Sequence, residues 1–139
     1  MQDPRNLDVW ADALELAIAV YRLTEHFPSY ERFGLTSQMR RAAVSIGCNI
    51  TEGCGRWGNR ELAQYLQMAY SSAGEVAFLL TISMRLDFGD AVARDEAPER
   101  TDHVQRMLNR LMVAKRARPT RPRSRPTSRA SAARDVVNG

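Results

Sequence analysis

Apolar positions recur every three or four residues through most of the chain, and nowhere do they alternate as in a strand. The first such segment runs from about Leu7 to Phe27, with Trp10, Ala13, Leu14, Ala17, Val20 and Tyr21 as its stripe. Thr24 interrupts that stripe and Phe27 resumes it. Asn6 is the candidate N-cap, and Pro28 ends the segment because it disfavours helical geometry at the residue before it. The second segment runs from about Thr36 to Glu52 along Leu35, Met39, Ala43, Ile46 and Ile50. Thr36 or Ser37 is placed to cap its start. Gly53 and Gly55 are placed to stop it, since glycine accepts the left-handed conformation common after a helix. The third, about Arg60 to Leu86, predicts a rod roughly 40 Å long. Its apolar face includes Leu62, Leu66, Ala69, Ala73, Val76 and Leu80, and from Val76 to Ile82 it is apolar almost all round except for Thr81. Such a stretch calls for burial on more than one side. A polar joint, DFGDAVARDEAPER, follows, with Pro98 suited to the first turn of a fourth helix. That helix carries Val104, Met107, Leu108, Leu111 and Met112 inward and ends near Lys115.

Four helical segments with short joints predict an all-α, antiparallel up-down-up-down four-helix bundle over residues 1–115. Residues 116–139 are rich in Arg, Pro and Ser and offer almost nothing to pack, so they read as a disordered tail. No apolar run reaches the roughly 18 residues of a membrane span. The start, MQDPRNLDVW, lacks a signal peptide's basic and apolar regions, so the cytoplasm is the expected compartment and no membrane partner is expected.

Charge sharpens the division. The formal net charge is +4. Up to Lys115 there are 13 basic and 15 acidic residues, a net −2; beyond it stand 7 arginines and one aspartate, a net +6. The basic character therefore belongs to the tail. Two cysteines, Cys48 and Cys54, match neither a zinc spacing nor a CxxC pair and read as packing or incidental thiols. The two histidines stand in distant segments, so no metal site is predicted and no cofactor is called for. EGCGRWGN lacks the preceding strand and GK[ST] ending of a phosphate loop.

One pattern is not core-like. Gln38, Arg41, Ser45, Asn49 and Glu52 are spaced 3, 4, 4 and 3 along one side of the second helix. Ser72 and Glu75 are spaced 3 on the third, with Tyr65 about two turns before Ser72. If those helices are antiparallel neighbours, these groups can satisfy one another. Such a network would fix helix register, because sliding by a turn leaves buried polar groups unpaired at about 1–3 kcal/mol each. The stripe also admits a ligand or partner contact. Catalysis is the weakest reading: Ser45 has no histidine in its region to act as base, and the Glu-x-x-His pairs of a di-metal bundle are absent. No catalytic residue is assigned.

The quoted segments resemble one family. LDVWADALELAIAVYRLTEHFP, then E-x-F-G-L-T-S-Q-M-R-R-A-A-V-S-I-x-x-N-I-x-E-G, then A-x-x-S-x-x-E at Ala69, Ser72 and Glu75, are similar to a four-helix bundle family first met as proteins encoded in intervening sequences of bacterial 23S ribosomal RNA genes. The resemblance spans Leu7 to Lys115. It implies a homopentamer with a central channel. A related small bundle is the accessory protein of diversity-generating retroelements, which binds the reverse transcriptase and nucleic acid. Two features depart from the family pattern: Gly47, where proline is frequent, and the tail beyond Arg116.

Within a ring, one exposed arginine per subunit becomes a circle of charge. Arg40, Arg56, Arg60 and Arg85 are candidates to line one end or face of the bundle; with acidic neighbours such as Glu61 and Asp87 they also read as an ordinary solvated surface. Trp57 is placed either to stack on a base or to pack on the bundle end. Arg40, Arg56 and Arg60, together with Arg116, Arg118, Arg121, Arg123 and Arg125 of the tail, make the candidate nucleic-acid-binding set. The expected function is a non-enzymatic oligomeric module that binds RNA or DNA without strong sequence specificity. The alternative is a protein-interaction scaffold, such as an accessory subunit of a reverse transcriptase.

Overall fold

The computed structural model describes residues 2–117, and the tail arginines Arg118, Arg121, Arg123 and Arg125 lie outside them. Four α-helices follow one another: α1 Asp8–Glu25, α2 Leu35–Cys54, α3 Asn59–Arg85 and α4 Ala91–Arg116, with 3-10 turns at Pro4–Asn6 and Ser29–Glu31. No strand occurs among the described residues. Each helix packs on its chain neighbours, and α1 closes the square against α4. The result is the expected four-helix bundle. Its core draws on all four helices: Leu16, Val20 and Leu23; Met39, Ile46 and Ile50; Leu66 and Val76; Val104 and Leu108. Each buried side chain of this size contributes about 1.5–3 kcal/mol against leaving it in water.

The stripe of α2 is buried as expected, at Leu35, Met39, Ala43, Ile46 and Ile50. That of α1 is displaced. Its core face is Val9, Ala13, Leu16, Val20 and Leu23, whereas Leu14 and Tyr21 are each 46% exposed. The helix carries apolar residues on more than one face, and only packing selects between them. Thr24, the apparent interruption, is buried; its hydroxyl donates to the Val20 carbonyl at 2.8 Å and accepts from Arg40 Nε at 2.8 Å. The run from Val76 to Ile82 also splits: Val76, Leu79 and Leu80 are buried, but Phe78 is 67% exposed.

The helix ends differ from expectation in instructive ways. Asn6 does not cap α1; it closes a 3-10 turn whose cap is Asp3, accepting from Arg5 N at 3.0 Å. At α2 the cap comes from outside the helix, where Glu31 Oε2 accepts from Leu35 N at 2.8 Å, and Thr36 is buried within the helix. Gly55 is right-handed at φ −79°, and the left-handed residue of this joint is Gly58 at φ +98°. Gly53 lies inside the helix for packing: a Cβ there would stand 2.8 Å from Tyr65 Cβ. α4 starts seven residues before Pro98, at Ala91, capped by Asp90, which accepts from Val92 N at 3.4 Å. Buried Ala97 and the pinning of Arg94, whose Nε donates to the Phe88 carbonyl at 2.9 Å, hold those early turns in place.

Candidate nucleic-acid interface

Antiparallel connectivity brings three chain segments to one end of the bundle: the N-terminal turn, the α2–α3 joint and the C-terminus of α4. Gln2 N donates to the Cys54 carbonyl at 3.0 Å, and Trp10 Nε1 donates to Thr51 Oγ1 at 3.0 Å, locking the start of α1 to the end of α2. Lys115 lines the same small cleft as Gln2, Cys54, Arg56 and Asn59. Proximity of Lys115 to the joint was not readable from the sequence, because it follows from helix lengths and closure rather than from a motif.

The joint itself is held by Arg56. Its Nη2 donates to Glu52 Oε1 at 2.6 Å and to Tyr65 Oη at 2.8 Å, and its guanidinium lies 5.1 Å from the Tyr65 ring centre. The hydrogen bond to Glu52, with Tyr65 beside it, holds Arg56 above its already high ordinary value, so the charge is permanent. Next to it Trp57 is 78% exposed. Packing on the bundle end is thus not its role within the chain. Arg60 is also exposed and makes no ion pair within 4 Å among the described residues. Arg116 ends α4, and six more arginines follow it in the sequence. An exposed indole beside cations, with a basic segment leaving from the same end, has the composition of a surface that stacks bases and contacts phosphates.

Two of the four candidate arginines of the body lie elsewhere. Arg40 stands about 21 Å along α2 from Cys54, the helix's last residue before the joint. Its Nε donates to Thr24, its Nη2 donates to the Tyr21 carbonyl at 3.4 Å, and its guanidinium covers the Tyr21 ring at 4.5 Å. That side chain binds α1 to α2. Arg85 sits at the far end of α3. The four candidates therefore do not line one end or one face together; Arg56 and Arg60 share an end with Arg116.

The polar stripe resolves into two separate groups rather than one network. In the first, Ser45 Oγ and Ser72 Oγ meet at 3.0 Å, and Asn49 Nδ2 donates to Ser45 Oγ at 3.1 Å and to the Ser45 carbonyl at 2.9 Å. These three are half-buried. The second is the exposed Arg56, Glu52 and Tyr65 cluster. Gln38, Arg41 and Glu75 are exposed and join neither group. Within one chain the buried continuous network is not formed, because Gln38, Arg41, Glu52 and Glu75 stand on the exposed surface rather than in the α2–α3 seam.

Comparison with known proteins places this fold. A model of the 23S rRNA-intervening sequence protein family matches residues 5–110. The chain belongs to that family. A crystal structure of a protein of unknown function from the S23 ribosomal protein family of Bacteroides thetaiotaomicron superposes with a TM-score of 0.67 at 20% identity, covering 75% of this chain and 97% of that one. No curated protein matches. The family match ends inside α4, so Lys115, Arg116 and the basic tail lie beyond it. No described helix is long and apolar enough to cross a membrane.

Proposed function

We propose that this family member is a non-enzymatic, ring-forming bundle, by family resemblance a pentamer, that binds RNA or DNA in the cytoplasm without strong sequence specificity. The supporting observation is the shared end: exposed Trp57, with Arg56 and Arg60, stands beside the point where α4 delivers Lys115, Arg116 and then the arginine-rich segment. The rest of the described body carries slightly more acid than base, so binding must concentrate at this end and in the tail. Several such ends on one ring would engage one polymer together, and avidity would raise a weak single contact.

The test is binding of full-length protein, protein ending at Ala117, and Trp57→Ala to single- and double-stranded nucleic acid across a salt series. Each lost phosphate contact flattens the slope of log affinity against log salt by about 0.9 on duplex DNA. Truncation should flatten the slope on both substrates. Trp57→Ala should weaken single-strand binding by about 1–3 kcal/mol, the worth of a stacked base, with the duplex slope unchanged. Absence of binding by the full-length ring at low salt would refute the reading and turn attention to a protein scaffold role, for which a reverse transcriptase encoded beside the gene is the decisive observation.

A further inference from the structure

Charge is distributed unequally over the four helices. From Arg94 to Arg116, α4 carries ten charged residues, as suits a helix facing water. From Leu62 to Met84, α3 carries one, Glu75. Between Arg41 and Glu52, α2 carries none. Yet both α2 and α3 present a face outward. Met68, Ser71, Glu75 and Phe78, spaced 3, 4 and 3, form an exposed ridge on α3 with a large aromatic standing clear of the bundle. Neutral, partly apolar outer faces of this kind are the composition of interface rather than of solvated surface.

On the other side of α2 lies a recess. Leu14 and Ala17 of α1 with Val44 and Gly47 of α2 floor a groove of about 470 Å³. It shares Val44 and Cys48 with a second groove of about 680 Å³. The second is bordered by Arg32, Arg40, Arg41 and Phe33 and has no carboxylate in its lining; Phe33 is 89% exposed. Together they form a channel along α1 and α2, apolar in its floor, cationic at one end and bordered at the other by Glu52, which is paired with Arg56. Gly47 deepens it. A Cβ there would meet nothing within 4 Å, so no contact within the chain requires glycine, although glycine inside a helix costs about 1 kcal/mol relative to alanine.

We infer that the α1/α2 groove receives the α3 ridge of a second copy of the chain. Ridge and groove differ in charge: the ridge's single charge is Glu75, and the groove end holds Arg32 and Arg41. Pairing groove with groove would leave Phe78 uncovered, and ridge with ridge would set Glu75 against Glu75. Groove with ridge brings opposite charges together and covers Phe78 and Leu14 at once. Because the two surfaces lie on different sides of one subunit, the contact is head-to-tail and closes a ring when the rotation per subunit allows. This deepens the ring reading above and rests on it; α4, the charged helix, is left on the water-facing side.

Two surface variants test the pairing. Leu14→Glu spoils the groove and leaves the ridge; Phe78→Glu spoils the ridge and leaves the groove. Both positions are exposed in the single chain, so each variant should keep the helical far-ultraviolet circular dichroism of the wild type and melt cooperatively. By light scattering, each variant alone should be a monomer, and an equimolar mixture should give a one-to-one heterodimer and nothing larger, since only one intact groove and one intact ridge remain to meet. Asp102→Lys on α4 should leave the wild-type mass unchanged. A wild-type protein that is a monomer overturns both the ring and the pairing. A wild-type oligomer that survives either variant, or variants that stay monomeric when mixed, overturns the pairing and leaves the ring.

Discussion

The hydroxyls of Ser45 and Ser72 meet at 3.0 Å across the α2–α3 seam, and Asn49 donates to the same Ser45 oxygen from one turn away. The pair sets the register of the two helices at a half-buried point where apolar side chains would slide more freely. A neutral hydrogen bond of this kind contributes about 0.5–1.5 kcal/mol. The prediction is a double-mutant cycle in urea: Ser45→Ala and Ser72→Ala should each destabilise, and the double variant should lose less than their sum by roughly that coupling. Strict additivity would show that the hydroxyls do not sense each other.

Glu52→Ala should behave differently. Its partner Arg56 is an exposed i,i+4 neighbour at 2.6 Å, and such pairs are worth about 0.3–0.5 kcal/mol. In the monomeric Leu14→Glu background the effect should stay within that range; a larger shift in the assembled wild type would reflect a neighbour covering the groove that Glu52 lines.

Gly53 and Gly47 form a matched pair for alanine substitution. Gly53→Ala places a methyl 2.8 Å from Tyr65 Cβ and 3.1 Å from Leu62 Cδ1. Tyr65 Cβ is fixed to the α3 backbone and cannot swing away, so the helices must part, at about 1–3 kcal/mol for overpacking. Gly47→Ala enters open space and should stabilise the single chain by about 0.5–1 kcal/mol. If the groove holds a neighbour, the same methyl should weaken assembly. Thermal melts of the two variants at low and high protein concentration separate these effects.

The two thiols should be told apart by a thiol reagent. Cys48 is exposed and Cys54 is buried, and burial pushes the Cys54 thiol above its ordinary range despite nearby Lys115. A thiolate is the reactive form. In the monomeric Leu14→Glu variant near neutral pH, one equivalent should react quickly and the second only in denaturant; in the assembled wild type Cys48 lines the occupied groove and should react slowly as well. Fast reaction of both would show that the cleft around Cys54 opens.

Much of the bundle was legible because helical periodicity is local. The α2 seam, the four segments and the tail's charge all follow from residue spacing and composition. The sequence places the start of the fourth helix at Pro98 rather than Ala91, since proline punctuates a sequence strongly while the contacts that extend α4 backward, Ala97 in the core and Arg94 on the Phe88 carbonyl, are tertiary. Arg40 shows the same limit. As a letter it is a surface cation; in the fold it is spent on Thr24 and Tyr21, sixteen and nineteen residues away in sequence.

The sequence by itself determined that this chain makes four amphipathic helices, that they belong to this family's bundle, and that a basic segment follows. Those properties are set by the order of side chains along a short stretch. Only the tertiary structure decided which apolar stripe of α1 enters the core, that the polar stripe of α2 divides in two, and that Trp57, Arg60 and Arg116 share an end. Each depends on the direction in which one helix meets another. A stripe, a hydroxyl or a guanidinium has no face until a neighbour occupies the space beside it.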